Sequence, residues 1–394
     1  MKLKALARLL LVLTPILSGC KGFWDVPSGS GGGGTGSASG FFYVLNQQTA
    51  QVTGFSFAAS STTLTAVSGS PYSLSAAPVA AAMSPNGGFL YVSTAAGIFA
   101  YGVNATTGAL TLLNNATAIS SDAAFAMVVD SSGSWLIEAV SGLGTVAAIP
   151  LDPTTGVLLT GGTEKLVNLP SGSASVVRLA TTPSAAANPY VFAAMQTSGL
   201  AVIAFNSASS GNPFGTVQTI KPKNSGGGDT TVAVDLTSPV LYVGETLAYS
   251  ANTSNPGGVR MFTYGANFAF SEVSGSPYST GGLGPSAILR TSSYVYVANK
   301  TVSGSSDGNI TAFAINTSGG TATGLTAVTS GTISAGVSTI GLAEDSTGTY
   351  ILAVNNSGSP DLNAYTIGTT GALTSYATGS TGTDPTEPVA IVGP

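Results

Sequence analysis

A short apolar segment recurs seven times along the chain, and this repeat is the sequence feature that most restricts the fold. A repeat of about fifty residues indicates a structure built from one small unit arranged several times. A longer motif, Val67–Ser73, also recurs unchanged as Val273–Ser279. The apolar copies are centred on Tyr43, Tyr91, Ile137, Phe192, Tyr242, Tyr296 and Leu352, so that successive copies lie 46 to 56 residues apart.

Each repeat contains four short strand-like segments separated by turn residues. A polar residue opens and a glycine closes one recurring turn, as in Asn104–Gly108 and Asp152–Gly156, which is typical of a tight hairpin. Apolar residues alternate with polar ones along Ile310–Ile315, and helical periodicity is nearly absent, so the pattern predicts an all-β protein. In the first complete repeat the four segments are Val79–Met83, Phe89–Val92, Ile98–Val103 and Leu110–Leu113.

Seven units of four strands predict a seven-bladed β-propeller over residues 41–394, each blade being a four-stranded antiparallel sheet. The chain enters this region on a second strand, Phe41–Leu45, and ends on an unpaired first strand, Pro388–Val392. We expect these two strands to pair, closing the ring with one C-terminal and three N-terminal strands and leaving no free edge. Two stacked domains are the alternative, but they would leave both terminal strands unpaired.

The N-terminus carries the features of an export signal over residues 1–19. Lys2, Lys4 and Arg8 precede an apolar run, Leu9–Leu17, that is too short to span a bilayer. The segment Leu17–Cys20 resembles the bacterial lipobox, and this resemblance implies cleavage before Cys20 and attachment of diacylglycerol to its thiol. A free thiol is the alternative, because the chain has no second cysteine with which Cys20 could form a disulfide.

Residues 20–40 are predicted to be a lipidated cysteine followed by a flexible tether, because Gly and Ser dominate the segment. Lys21 stands where enterobacterial lipoproteins retained in the inner membrane have Asp, and this resemblance implies the outer membrane. We therefore expect an exported lipoprotein of the outer membrane or cell surface, with the leaflet of the anchor left open.

The charge content excludes several classes of function. Charged residues make up 7% of the chain, histidine is absent, and 11 Lys and Arg residues stand against 16 Asp and Glu residues. Nucleic-acid binding needs a basic face that this chain lacks, so we expect no nucleic-acid partner. Histidine-based catalysis and histidine-ligated metals are ruled out. No metal-binding cluster or phosphate loop is apparent, and we expect no cofactor.

The repeats also resemble those of a known family. Tyr91–Thr94, Tyr296–Asn299, Thr107–Thr111 and Val273–Pro277 resemble segments of the lactonase-type seven-bladed propellers. This family includes 6-phosphogluconolactonases, carboxymuconate cyclases and exported surface-layer-type proteins. The resemblance implies the propeller fold over residues 41–394 and raises lactone hydrolysis as an activity. The enzymes of the family are associated with His, Arg and Glu in the central funnel, and no His is present here to match.

Three residues are the candidates for a catalytic site. Arg178 lies inside a first strand, at the position that we align with Ala81, Met127, Val232 and Leu342, and is expected near the propeller axis. There it would either hold an anionic substrate group or bond to main-chain carbonyls at the channel wall, and we favour the structural role. Glu245 and Glu387 are the only plausible general bases.

Three long connections between second and third strands are candidate binding loops, at Gly244–Gly257, Asn299–Gly308 and Asn355–Asp361. Their polar composition suits hydrogen bonding to neutral polymers such as glycans, and merely tolerated insertions are the alternative. The residues singled out in them are Glu245, Tyr249, Asn299, Lys300, Asn355 and Asn356.

These patterns favour a lipid-anchored, exported propeller that acts as a non-catalytic binding or surface-display module. Its expected partners are the membrane, through the anchor, and a glycan or an envelope protein. A lactonase-like hydrolase acting on a sugar lactone or a related cyclic ester is one alternative function. A self-associating surface-layer-type structural protein is another.

The anchor can be tested by replacing the single cysteine. We expect Cys20→Ser to abolish acylation and to release or mislocalise the protein, because the thiol is the atom that carries the lipid. Metabolic labelling with a radioactive fatty acid measures this directly. Equal labelling of the wild type and the variant would rule out lipidation at Cys20.

Overall fold

The computed structural model describes residues 38–58, 64–140, 144–170, 175–183, 186–249, 257–358, 360–379 and 387–393. The predicted signal peptide, Cys20 and most of the predicted tether lie outside these ranges. Among the described residues, no helix is long and apolar enough to cross a membrane. Instead, the described chain forms seven β-sheets and two 3₁₀ turns, at Asn114–Ala116 and Ala266–Phe268.

The strands form seven blades, numbered here in chain order. Blade 1 contains β1 (Ala38–Asn46), β2 (Gln51–Ala58), β3 (Leu64–Ala66) and β4 (Tyr72–Ser73), blade 2 contains β5 (Pro78–Met83), β6 (Phe89–Thr94), β7 (Gly97–Val103) and β8 (Leu110–Leu112), and blade 3 contains β9 (Ala124–Val129), β10 (Trp135–Val140), β11 (Thr145–Pro150) and β12 (Lys165–Asn168). Blade 4 contains β13 (Arg178–Thr181), β14 (Tyr190–Ala194), β15 (Leu200–Phe205) and β16 (Phe214–Ile220), and blade 5 contains β17 (Gly228–Val234), β18 (Val240–Thr246), β19 (Gly258–Tyr264), β20 (Phe270–Glu272) and β21 (Tyr278–Ser279). Blade 6 contains β22 (Leu283–Arg290), β23 (Tyr294–Thr301), β24 (Asp307–Ser318) and β25 (Thr321–Val337), blade 7 contains β26 (Thr339–Glu344), β27 (Tyr350–Asn355), β28 (Leu362–Ile367) and β29 (Leu373–Gly379), and the last strand, β30 (Pro388–Val392), joins blade 1.

The predicted seven-bladed propeller is therefore confirmed, with four antiparallel strands in each blade and a short extra strand in blades 1 and 5. The extra strands β4 and β21 lie in the two identical copies of the longer motif, and each pairs with the third strand of its blade. In both copies the motif serine that precedes the proline, Ser70 or Ser276, accepts a hydrogen bond from the backbone N–H of that third strand. Identical sequence thus makes identical structure four blades apart.

Ring closure follows the prediction as well. Tyr43, Val44 and Leu45 of β1 pair with Val392, Ile391 and Ala390 of β30. Blade 1 therefore takes its innermost strand from the C-terminus and its other strands from the N-terminus. None of the seven sheets of the described chain is left without its inner strand.

The apolar centre of each repeat is the second strand of a blade, and burial explains its composition. Every residue of β14 and β27 is buried, since neighbouring blades cover both faces of the sheet. Strands covered on both faces read as continuous apolar runs rather than as alternating ones. The fourth strands, such as β3 and β8, lie at the rim and are largely exposed.

The glycine that closes the recurring turn is required by both conformation and space. Gly108 has φ +68° and Gly156 has φ +72°, in the left-handed region that favours glycine. A Cβ at Gly156 would also lie 2.2 Å from the ring of Phe89 in the preceding blade. Tyr43 of blade 1 donates a hydrogen bond to the carbonyl of Gly108 in blade 2, so this turn is one of the points at which adjacent blades are fastened.

Removal of the last strand tests the closure. We expect deletion of residues 387–394 to abolish cooperative folding, or to lower the free energy of unfolding by several kcal/mol, because it removes the inner strand of blade 1 and exposes an unpaired edge. The milder Ile391→Ala change should cost about 2–4 kcal/mol, because Ile391 is buried between blades 1 and 7. Urea denaturation measures both variants.

Leu166 provides the matched control for these changes. It is 55% exposed on the outer strand β12, so Leu166→Ala should alter stability by less than about 0.5 kcal/mol. Unchanged stability in the deletion variant would contradict the closed ring.

Candidate functional site

The first strands of six blades share a β-bulge close to their N-terminal ends. Each register shift leaves one residue of the first strand without a partner in the second strand. Bulges of this kind leave the backbone of the extra residue outside the ladder. The unpaired residues are Val79, Phe125, Thr230, Ser286, Ile340 and Val389, and all six line the cavities of the central channel.

Arg178 crosses this channel. Its guanidinium donates hydrogen bonds to the carbonyls of Ile340, at 2.9 Å, and Ser286, at 3.5 Å. Both acceptors are bulge residues, in blades 7 and 6, whereas Arg178 belongs to blade 4. The side chain therefore uses carbonyl groups that the bulges leave free, and removal from water lowers the pKa of its guanidinium.

The structure corrects the position of Arg178 in the repeat by one residue. Arg178 pairs with Ala194, whereas Ala81 pairs with Val92, which is equivalent to Ala193. The alignment with Ala81, Met127, Val232 and Leu342 was therefore wrong, and these residues are equivalent to Leu179 instead. The true equivalents of Arg178 in the other blades are the small residues Ala80, Ala126, Thr231, Ala287, Gly341 and Ala390. Because the side chains at these six positions are small, they leave space in the channel for the long side chain of Arg178 from blade 4.

A funnel with a volume of about 540 Å³ lies at one end of the channel, and Arg178 is at its floor. Arg178 also lines a narrower cavity of about 200 Å³ further along the axis, so its side chain separates the two spaces. The walls of the funnel bring together backbone from blades 1 and 4 to 7. The polar side chains around it are those of Arg178, Gln196, Thr230, Thr246, Ser286, Lys300, Ser338 and Asn356.

Four of these polar residues occupy one position of the repeat. Gln196, Thr246, Lys300 and Asn356 each stand four residues after the centre of the second-strand motif. Sequence reasoning identified Lys300 and Asn356 through their long loops but missed Gln196 and Thr246. Alignment of the repeats would have revealed the shared position, because the spacing from the motif is the same in all four blades.

Two cations face the funnel without a carboxylate among its described lining residues. Arg260 and Lys223 form ion pairs with Glu272, and Arg290 forms one with Asp235. Lys300 is exposed at the rim of the funnel, and Arg178 bonds to neutral carbonyls at its floor. The funnel therefore has a positive electrostatic character in a chain whose net charge is −5.

Glu245 does not lie on a loop, as the sequence analysis expected, but within β18. Its side chain is fully buried and accepts hydrogen bonds from the Arg260 guanidinium, at 3.0 Å, and from the backbone N–H of Lys223, at 2.6 Å. It occupies the strand-end position of the repeat that Asn299 and Asn355 occupy in blades 6 and 7. The carboxylate is thus buried and does not line the funnel.

Asp229 is the carboxyl group next to Glu245. The two residues are paired between β17 and β18, and Asp229 is 1% exposed. Burial, and next the negative charge of Glu245, raise the pKa of Asp229 well above its usual range. Its carboxyl oxygens are closed off from the funnel.

The structure places the other expected binding-loop residues in three different settings. Asn299 and Asn355 are fully buried within β23 and β27 and accept hydrogen bonds from Thr280 and Thr339, so their placement on loops was wrong. Lys300 and Asn356 line the funnel. Tyr249 is 56% exposed beside residues 250–256, which lie outside the described chain.

Glu387, the other candidate base, precedes β30. Its side chain is exposed, and its carbonyl accepts a hydrogen bond from the backbone N–H of Gln47. It is not among the residues that line the funnel. Among the described residues, the structure therefore does not bring Arg178, Glu245 and Glu387 together around one cavity.

The family comparison agrees with the fold. A family model described as "Lactonase, 7-bladed beta-propeller" matches residues 35–176, and the predicted resemblance to the lactonase-type propellers is confirmed. Among curated protein sequences, none matches the chain.

Several solved structures share the fold over most of the chain. A "putative 6-phosphogluconolactonase" from Bacteroides fragilis has 16% sequence identity and a TM-score of 0.68, covering 91% of this chain and 98% of its own. A protein of the same description from Bacteroides uniformis has 17% identity and a TM-score of 0.66, covering 90% and 99%. The periplasmic gluconolactonase of Pseudomonas aeruginosa has 14% identity and a TM-score of 0.65, covering 90% and 98%. At these identities the likeness establishes the propeller fold alone.

The role of Arg178 can be tested through stability. We expect Arg178→Met to fold and to lower the free energy of unfolding by about 1–3 kcal/mol, because it leaves buried carbonyls without a donor. Lys300→Met is the matched control and should change stability by less than about 0.5 kcal/mol, since Lys300 is exposed. Equal stability of the wild type and Arg178→Met in urea denaturation would contradict a structural role.

Proposed function

We propose that the protein is an exported propeller that binds a small anionic, hydroxyl-rich molecule in its funnel without transforming it. The observation that carries this proposal is the lining of the funnel, with two cations and several hydroxyl and amide groups but no carboxylate among its described residues. Arg178 and Lys300 would attract a carboxylate or a phosphate, and Gln196, Thr246 and Asn356 offer hydrogen bonds to hydroxyl groups. Sugar acids combine both kinds of group.

The absence of an accessible base in the described funnel favours binding over hydrolysis. Lactone hydrolysis requires a group that removes a proton from the attacking water, placed within hydrogen-bonding reach of it. The carboxylate of Glu245 is fully buried and forms an ion pair with Arg260. Asp229, which pairs with Glu245 on the neighbouring strand, is also almost completely buried. Neither carboxyl group can reach a molecule in the funnel without a movement of the blade.

A lactonase remains the second candidate, because the family match and the named neighbours favour it. The neighbours include a periplasmic gluconolactonase and two proteins described as a "putative 6-phosphogluconolactonase". In a hydrolase of this kind Arg178 and Lys300 would stabilise the developing negative charge of the opening lactone. The product would be a sugar acid, which is the class of ligand that the binding proposal also names.

We further propose that this module is held at the outer membrane or cell surface by a lipid on Cys20. The support comes from the sequence alone, through the export signal and the lipobox-like segment Leu17–Cys20. A glycine- and serine-rich segment between the anchor and β1 would give the propeller freedom to reach a soluble ligand.

Calorimetric titration with gluconate and with 6-phosphogluconate tests the binding proposal. We expect Lys300→Met to weaken binding of either anion at least about 10-fold, since one charge-assisted hydrogen bond is lost. Lys165→Met is the matched control, because Lys165 lies on the rim strand β12 outside the funnel. Equal affinity of the wild type and Lys300→Met would refute the funnel as the binding site.

A parallel assay of glucono-δ-lactone hydrolysis separates the two candidates. The binding proposal expects the rate of ring opening to equal that of buffer alone. Hydrolysis by the wild type that is lost in Lys300→Met, and retained in Lys165→Met, would establish the lactonase instead.

A further inference from the structure

Blade 3 carries a buried carboxylate at a position where the other blades have small apolar residues. Glu138 follows the centre of the second-strand motif, and its side chain is 0% exposed. Among the described residues, neither of its carboxylate oxygens has a hydrogen-bond partner. The equivalent residues in the other six blades are Val44, Val92, Ala193, Val243, Val297 and Ala353.

Such a group needs compensation. An ionised carboxylate removed from water is strongly unfavourable unless an opposite charge or hydrogen bonds replace the lost hydration. None of the four ion pairs among the described residues involves Glu138. The compensating group is therefore missing from the described side chains around it.

Two further carboxylates converge on Glu138. Asp122, in the connection between β8 and β9, is partly buried, and Glu164, directly before β12, is exposed. One ligand oxygen from each of the three residues lies within 4.8 Å of the other two. Burial, together with the charges of Asp122 and Glu164, raises the pKa of Glu138 to about 8. Three acidic groups thus crowd one site, and none of them takes part in an ion pair with another described residue.

We propose that Asp122, Glu138 and Glu164 bind a divalent cation, and that this cation is Ca²⁺. Two oxygens that coordinate Ca²⁺ at about 2.3–2.6 Å can be separated by at most about 4.6–5.2 Å, which agrees with the spacing of the cluster. Mg²⁺ demands near-octahedral geometry at about 2.0–2.1 Å and usually keeps several waters, so a cluster of three carboxylates suits the more flexible coordination of Ca²⁺ better. The donors are all hard oxygens, and the chain has no histidine, which disfavours the softer transition metals.

The positions of the three carboxylates indicate how an ion would enter the site and what its binding would do to the fold. Exposed Glu164 and partly buried Asp122 face solvent, while Glu138 forms the floor of the site. The three ligands come from the connection that leads out of blade 2, from the second strand of blade 3, and from the segment before its fourth strand. A bound ion would therefore fasten the blade 2 connection to blade 3 and would stabilise the folded state. None of the three residues lines the funnel, so this site is independent of the proposed function.

Titration of the EDTA-treated protein with CaCl₂ tests this proposal by calorimetry and by thermal unfolding. We expect one Ca²⁺ per chain and a melting temperature that rises by a few degrees with saturating Ca²⁺, with a weaker response to Mg²⁺. In Glu138→Gln both the heat of binding and the thermal shift should disappear. The melting temperature of this variant without Ca²⁺ should equal or exceed that of the wild type, because a crowded acidic group has been removed.

Two more variants make the outcome decisive. Glu344→Gln is the matched control, because Glu344 is a partly buried carboxyl group and burial raises its pKa to about 7. It lies in blade 7 away from the cluster, so this variant should keep the full Ca²⁺ response. Glu138→Val installs the residue of blades 1, 2, 5 and 6 and should fold without any response to Ca²⁺. Absence of Ca²⁺ binding by the wild type, or a full response in Glu138→Gln, would overturn the proposal.

Discussion

The pairing of β1 with β30 is the interaction on which the rest of the molecule depends. Each blade is a thin sheet whose two faces must both be covered by neighbours. Phe42 and Val44 of β1 pack with Ile391 against blade 7, whereas Tyr43 and Leu45 of the same strand pack against blade 2. A ring that lacked β30 would lose the inner strand of blade 1 and one wall of the channel. The funnel depends on the same ladder, because Asn356 donates a hydrogen bond to the Pro388 carbonyl and Val389 lines the cavity.

Repetition also explains how a functional site arises from a scaffold of this kind. The β-bulges place unpaired carbonyl groups of several first strands around one axis. In blades 4 to 7, the fourth residue after the centre of the second-strand motif lines the same opening. Hydroxyl groups connect neighbouring bulges, since Thr230 donates to the Pro285 carbonyl and Ser286 donates to the Thr339 carbonyl. The backbone of the funnel is therefore fixed by the repeat. Its charge depends on two substitutions at repeat positions, Arg178 and Lys300, and the chemistry of the site can change without a change of fold.

Sequence reasoning predicted the fold, its closure and three of the funnel residues, Arg178, Lys300 and Asn356, because these depend on periodicity and on spacing. It misplaced Arg178 by one residue, since a bulge adds a residue to the first strand without altering the hydrophobic pattern. It also assigned Glu245, Asn299 and Asn355 to loops between strands, because polar residues after an apolar run are typical of a turn. In the structure each of these three is among the last three residues of a second strand, and all three are buried. Burial by a neighbouring blade is a tertiary effect that no local pattern reports.

Two of the buried carboxylates, those of Glu245 and Glu138, stand at repeat positions where other blades have uncharged residues. Glu245 replaces the Asn of other blades at a strand end, and Arg260 on the adjacent strand balances it at 3.0 Å. Glu138 replaces a Val or Ala at the centre of a blade, and the residues that approach it are acidic. A fold that places apolar residues at the same position in six blades has no structural need for a carboxylate in the seventh. A buried carboxylate destabilises an apolar core, but a bound cation would compensate its charge. The lack of an ion-pair partner for Glu138 among the described residues therefore favours a bound cation as the group that compensates it.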